Sequence, residues 1–253
     1  MESDTVKINN EQQAYYQGEE QNRMNAYREL YAEIIENIRR KKNASVLDIG
    51  GGAGFFARWL KGEILRDGMT DIRLKIVVLD SVRYGTWRTT DGCIEYVQAD
   101  AVQLDHIFEE KSFDYIFCNM FVHHIIGKNF RESGRIRKKV FSDLKKLLKP
   151  GGRVLITDNM NDGFLFDESS CRILFALTTC KNPVIMRVSS HFGSHSAGSG
   201  VCMMSQKMWK RLLVETGFRI EQIKLTKPDS WKLIRKTVLM NKEYRQAVLI
   251  VAR

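Results

Sequence analysis

The stretch that decides the fold is VLDIGGGAGFFARWL, residues 46–60. Four of the five positions 50–54 are glycine, set between two apolar runs. Glycine weakens strands and helices alike, so such a cluster is costly unless the backbone must be bare there. The run before it reads as a buried strand, SVLDIG (45–50), and the run after it as a helix, FFARWLKGEIL (55–65). Strand, glycine turn and helix together form a ligand-binding geometry: the bare backbone approaches the ligand, and the helix N-terminus offers unpaired N–H groups. The spacing is D-x-G-x-G-x-G, from Asp48 through Gly50, Gly52 and Gly54. A carboxylate two positions before the first glycine suits a cation better than a pyrophosphate. Gly51 stands off this pattern, and its bland reading is permissiveness in the turn.

Further runs extend the same plan. LKIVVLD (74–80), IEYVQAD (94–100), FDYIFCN (113–119) and RVLITDN (153–159) read as strands. Unbroken apolar strands alternating with helices indicate a parallel sheet covered on both faces. A helix is predicted over 24–40, where Tyr27, Leu30, Tyr31, Ile34, Ile35 and Ile38 recur at helical spacing. RIRKKVFSDLKKLLK (135–149) reads as a basic amphipathic helix with Ile136, Val140, Phe141, Leu144, Leu147 and Leu148 inward, stopped by the turn KPGG (149–152). Beyond Asn159 a helix is predicted over 166–180 and a Gly/Ser-rich loop over 189–200. A helix follows over 205–218, with Ser205 as N-cap and Gly217 past its end, then strands over 219–226 and 245–253.

The chain has 253 residues, 43% hydrophobic and 28% charged, ordinary values for a globular protein. No apolar run reaches the ~18 residues that span a bilayer, and the polar N-terminus reads as neither signal nor transit peptide. Five scattered cysteines without a CxxC pair fit reduced thiols, so a cytoplasmic setting without membrane attachment is expected. The net charge of +10 points to an anionic partner, nucleic acid among them, although the basic helix reads first as a solvated face.

In these residues the sequence resembles the class I S-adenosylmethionine-dependent methyltransferases, closely over 24–160 and more loosely over 205–253. Asp48, Gly50, Gly52 and Gly54 match the family's first motif, under the methionine end of the cofactor. Asp80 closes the second predicted strand where the family has an acidic residue on the ribose hydroxyls, with Ser81 beside it. Asp100 and Ala101 close the third, at the adenine. Asn119 closes the fourth, near the cofactor's amino group. Taken singly, Asp80 and Asp100 also read as caps of the following turns; their occurrence in order at one sheet edge carries the resemblance.

The resemblance implies a Rossmann-like α/β fold with a seven-stranded, mostly parallel sheet in a single methyltransferase domain. An N-terminal helical lid (1–44), a cofactor-binding core (45–160), a substrate-cover insertion (161–204) and a C-terminal helix with the last strands (205–253) make it up. The implied cofactor is S-adenosylmethionine, leaving as S-adenosylhomocysteine. The implied activity is methylation of a small molecule on oxygen or nitrogen, in the manner of natural-product enzymes. An RNA or protein methyltransferase is the second reading, and a non-methylating cofactor-binding subunit the third. Asn119-Met120-Phe121 lacks the prolines of the base-directed enzymes, which argues against base N-methylation.

A sulfonium methyl is already activated, so the protein supplies alignment and, for a hydroxyl or amine acceptor, a base. His123, just past the fourth strand, and Asp158, ending the fifth, are the candidates for base and partner. His124, His191 and His195, with Tyr15 and Tyr16 of the N-terminal segment, are candidates for substrate contacts. Asp158-Asn159 resembles the metal-binding pair of catechol-type enzymes, but the strand-four position is Asn119 rather than Asp, so no metal is expected.

Overall fold

Seven strands carry the architecture: β1 (Asn43–Ile49), β2 (Arg73–Asp80), β3 (Ile94–Gln98), β4 (Phe113–Asn119), β5 (Leu148–Gly163), β6 (Arg219–Leu225) and β7 (Asn241–Ala252). The computed structural model describes residues 27–87, 92–163, 166–191, 198–225 and 241–253. The sheet order is β3-β2-β1-β4-β5-β7-β6. β1, β2 and β3 run parallel, as do β4 and β5. β7 is antiparallel to both β5 and β6. This is the expected seven-stranded, mostly parallel, Rossmann-like sheet. The chain divides into two units, residues 1–101 and 102–253.

In the first unit, α1 (Ala32–Lys41) and α2 (Phe55–Ile64) accompany the three parallel strands. The helix predicted over 24–40 is interrupted at Tyr31, where φ is −108° and ψ 7°. Tyr27 and Tyr31 are both buried, stacked at 5.4 Å, and meet the Phe56 ring edge-on. That aromatic cluster fastens α1 to α2. Arg39 adds a polar bolt, donating to the carbonyls of Glu63 at 2.6 Å and Ile64 at 3.3 Å, two acceptors left over at the C-terminus of α2.

In the second unit, α3 (Leu104–Ile107), α4 (Phe130–Leu147), α5 (Ser169–Thr179), α6 (Pro183–His191) and α7 (Gln206–Glu215) accompany the remaining strands. α4 starts five residues before the predicted basic helix, because Asn129 accepts from the Glu132 amide at 2.9 Å while Glu132 accepts from the Lys128 amide at 2.8 Å. α6 occupies sequence where the glycine- and serine-rich loop was expected to begin, so His191 ends a helix rather than sitting in a loop. Lys149–Gly152 forms the expected turn as a bulge inside β5, with Gly151 at φ 77° and the register slipping between Phe113 and Tyr115 of β4. β5 runs on to Gly163 because β7 pairs with it along that whole length. Ser205 caps α7 by accepting from the Met208 amide at 3.2 Å, and Gly217 follows it at φ 73°, as predicted.

Candidate functional site

The glycine turn of the first unit lies on a row of side chains. Asp48 pairs in register with Val78, and Val78 with Tyr96, so the three share one face of the sheet. A Cβ on Gly51 would sit 2.5 Å from Asp48 Oδ2 and 2.8 Å from Val78 Cγ1. One on Gly54 would sit 2.7 Å from Tyr96 Cε1, and Gly54 has φ 76°. Gly50 and Gly52 are also left-handed, at φ 69° and 53°. Gly51 is therefore a steric requirement and not permissiveness, which corrects the bland reading. The Gly50 amide continues the β1–β2 ladder by donating to Leu79 O at 2.7 Å.

Asp80, at the end of β2, holds this turn. Its Oδ2 accepts from the Gly52 amide and its Oδ1 from the Val82 amide, both at 2.9 Å. Burial raises its pKa, and the bonds from Val82, Gly52 and Ser81 amides oppose that rise. Trp87 reaches back to Gly52 O at 2.8 Å and stacks on Tyr96 at 5.3 Å. A shallow concavity between them is lined by Arg83, Trp87, Tyr96 and Gln98. Gln98 donates to Ser81 O at 3.3 Å. Asp100 is exposed and Ala101 buried. Trp87 and Tyr96 escaped the sequence reading because neither belongs to the glycine motif.

In the second unit β4 ends at Asn119, opposite Thr157 of β5. Met120 then turns the chain at φ 52°, and a 3₁₀ turn, Val122–His124, doubles back. That turn brings His123 onto Asp158. The Asp158 carboxylate accepts from the His123 amide at 3.0 Å and meets its Nδ1 at 2.6 Å, with the Asn159 amide as a third donor at 2.7 Å. Both residues are buried, Asp158 at 1% and His123 at 8% exposure. A carboxylate oxygen accepts, so in this contact Nδ1 is the donor. The His123 carbonyl accepts from the Cys202 amide at 2.8 Å. Nε2 thus remains, among the described residues, the one hydrogen-bonding group of His123 without a partner.

His124 packs against His123 with ring centroids 4.1 Å apart. Surrounding protein first, and His123 second, depress its pKa to about 4, so it is neutral near pH 7. Its ring keeps a solvent-exposed side, which limits that depression. For His191 only the backbone is described, and Tyr15, Tyr16 and His195 lie outside the described residues. Within the 161–204 segment, Phe175 is buried on α5, whereas Phe166 is exposed. Among the described residues no group of three or more His, Cys, Asp or Glu is arranged for a metal ion. No described helix is long and apolar enough to cross a membrane.

The basic helix α4 corrects one expectation. Ile136 is half-buried, while Arg137 faces inward at 1% exposure. Its outer lysines are largely neutralised: Lys139 meets Asp143 at 2.7 Å and Asp105 at 3.2 Å, Lys146 meets Asp143 at 3.0 Å, and Lys138 meets Glu215 at 3.2 Å. Paired lysines make a poor footprint for phosphates.

A family model described as a methyltransferase domain matches residues 19–223. The chain is 33% identical over 132 residues to phosphoethanolamine N-methyltransferase 2 of Caenorhabditis elegans, covering 50% of this chain and 27% of that protein. It is 33% identical over 124 residues to the ubiquinone/menaquinone biosynthesis C-methyltransferase UbiE of Idiomarina loihiensis, covering 47% of this chain and 43% of that one. Both matches therefore span less than half of the relative's length. The solved structure of an S-adenosylmethionine dependent methyltransferase from Mesorhizobium loti is similar at a TM-score of 0.51 and 14% identity, over 85% of this chain and 95% of that one. With the model spanning most of its length, the chain belongs to the methyltransferase-domain family, and its fold is that of the class I S-adenosylmethionine-dependent enzymes.

Proposed function

We propose that the protein methylates a small molecule on oxygen or nitrogen, with S-adenosylmethionine as methyl donor, His123 as general base and Asp158 as the group that orients it. The observation that carries this reading is the Asp158 carboxylate, which fixes His123 by backbone amide and ring nitrogen together and leaves Nε2 for the acceptor's proton. The buried carboxylate favours the imidazolium that forms when that proton is taken.

The first unit fits the cofactor on three counts. Its turn is bare where a Cβ would already collide with Asp48 or Tyr96. Asp48 buries a carboxylate beneath that turn, a match for a sulfonium charge. The Asp80 carboxylate, held by the Gly52 and Val82 amides and, beside them, by Ser81, has four acceptor positions in all and so keeps capacity for a ribose hydroxyl. Ser81, Asp100 and Ala101 are proposed for the adenosine end. When bound, S-adenosylmethionine supplies an activated methyl; what the chain's own residues supply is grip, alignment and proton removal. Neutral His124 and the 161–204 segment are proposed to line the acceptor's space. Both curated relatives are named for small-molecule chemistry, and the ion-paired face of α4 gives an RNA partner no support.

The test is transfer of a labelled methyl group from S-adenosylmethionine to a panel of small hydroxyl and amine acceptors. Wild type is expected to label one acceptor class, and His123→Ala to be slower by about 10²–10⁴-fold. Full speed in His123→Ala, or label passing to RNA or protein and to no small molecule, would overturn the reading.

A further inference from the structure

Arg137 is buried on α4, and among the described residues no carboxylate pairs with it. A guanidinium out of water is costly unless its donors are used. Here Nε donates to Ser133 O at 3.1 Å, one terminal nitrogen to Cys202 O at 2.8 Å, and the other to Cys202 Sγ at 2.9 Å. Two of the three bonds thus end on one residue, 65 positions away in sequence. That residue is the one whose amide holds the His123 carbonyl at 2.8 Å. The segment is fixed at two further points: the Val201 amide donates to Thr178 Oγ1 at 3.0 Å, and Met204 O accepts from the Asn161 amide at 3.1 Å, three residues past Asp158 on β5. Residues 201–204 therefore bracket the His123–Asp158 pair, one end on the histidine's backbone and the other on the strand that carries the aspartate.

We propose that Arg137 is a positioning residue for His123: by clamping Cys202 it fixes the histidine's backbone from the side opposite Asp158, and so sets the ring on the carboxylate. The inference rests on the reading of His123 as the base. Its effect falls on turnover and not on cofactor affinity, because two of the three Arg137 bonds end on the residue that holds the His123 carbonyl and none ends on the first unit.

The test uses the full chain labelled with ¹⁵N-histidine, with Arg137→Lys, Cys202→Ala and Cys202→Ser. Lysine keeps the charge but has no fork to span carbonyl and sulfur. Cys202→Ala removes the sulfur's bonds with Arg137 and Ser133 while keeping the carbonyl that Arg137 holds, and serine returns an acceptor. Wild type is expected to show a single His123 tautomer with its proton on Nδ1. Arg137→Lys is expected to mix tautomers and lower turnover by about 10²-fold with KM for the cofactor unchanged. Cys202→Ala should move the same signals less, and Cys202→Ser should restore them. A wild-type His123 spectrum in both Arg137→Lys and Cys202→Ala would overturn the clamp. If Arg137→Lys does not fold, an unaltered spectrum in Cys202→Ala overturns it alone. Separate calorimetry with S-adenosylhomocysteine keeps the two readings apart: a wild type that gives no heat overturns methyl transfer, while the tautomer comparison still decides the clamp.

Discussion

The two units hold their chemistry in opposite ways. The first builds with backbone: left-handed glycines, the amides that bind Asp80, and no room for a Cβ at position 51 or 54. The second builds with side chains brought from afar: Asp158 on His123 across 35 positions, and Arg137 on Cys202 across 65. A backbone-built site is written in consecutive residues and rejects any added atom. A side-chain-built site is dispersed and is sensitive to hydrogen-bonding capacity more than to bulk.

That contrast is sharpened most by Asp158→Asn. The amide matches the carboxylate in shape but has one acceptor oxygen for three donors. Turnover is expected to fall about 10²–10⁴-fold while S-adenosylhomocysteine affinity, read by calorimetry, is kept. A variant as fast as wild type would remove the dyad from the account. Next in size is Gly51→Ala, whose single methyl meets Asp48 and Val78 below 3 Å. Overpacking of that kind costs about 1–3 kcal/mol, which thermal melting resolves. Gly52→Ala is the control, since its Cβ has 3.8 Å of clearance from Tyr84 and pays only for its φ of 53°, about 1–2 kcal/mol. Gly51 carries no positive φ, so a Gly51→Ala variant as stable as wild type would break the steric claim.

His124 gives a smaller, pH-dependent effect. Its pKa in the fold, about 4, lies below the unfolded 6.5. The unfolded chain therefore takes the proton first. The stability this contributes is complete above pH 6.5 and is lost as pH falls from there toward 4. Melting curves across that window should show a steeper loss for wild type than for His124→Gln, by an amount that solvent on the ring's open side keeps modest. Parallel pH profiles would contradict the assignment. Arg39→Ala, which frees two carbonyls at the end of α2, is the smallest change, about 1 kcal/mol with binding untouched.

The same contrast accounts for what the sequence discloses. β1, the glycine turn and α2 were legible because strand, turn and helix signals follow one another within 15 residues. β4 falls where its apolar run predicted. Asp158 and His123 were legible as candidates, but their contact depends on a left-handed Met120 that nothing in its residue type announces. Arg137 was hidden, because a buried arginine in a lysine-rich helix is explained only by a cysteine arriving from a distant segment. The length of β5 beyond Asn159 was set by β7, remote in sequence. α6 had a local signal that went unread: Asn182-Pro183, where the asparagine side chain accepts from the Val184 amide at 2.9 Å.

Calorimetry of S-adenosylhomocysteine against wild type, Asp80→Ala and His123→Ala tests the central division of labour most directly. The account predicts binding by wild type, a loss of about ten- to hundredfold in Asp80→Ala, and wild-type affinity in His123→Ala. No heat with wild type, or equal affinity in wild type and Asp80→Ala, would contradict it.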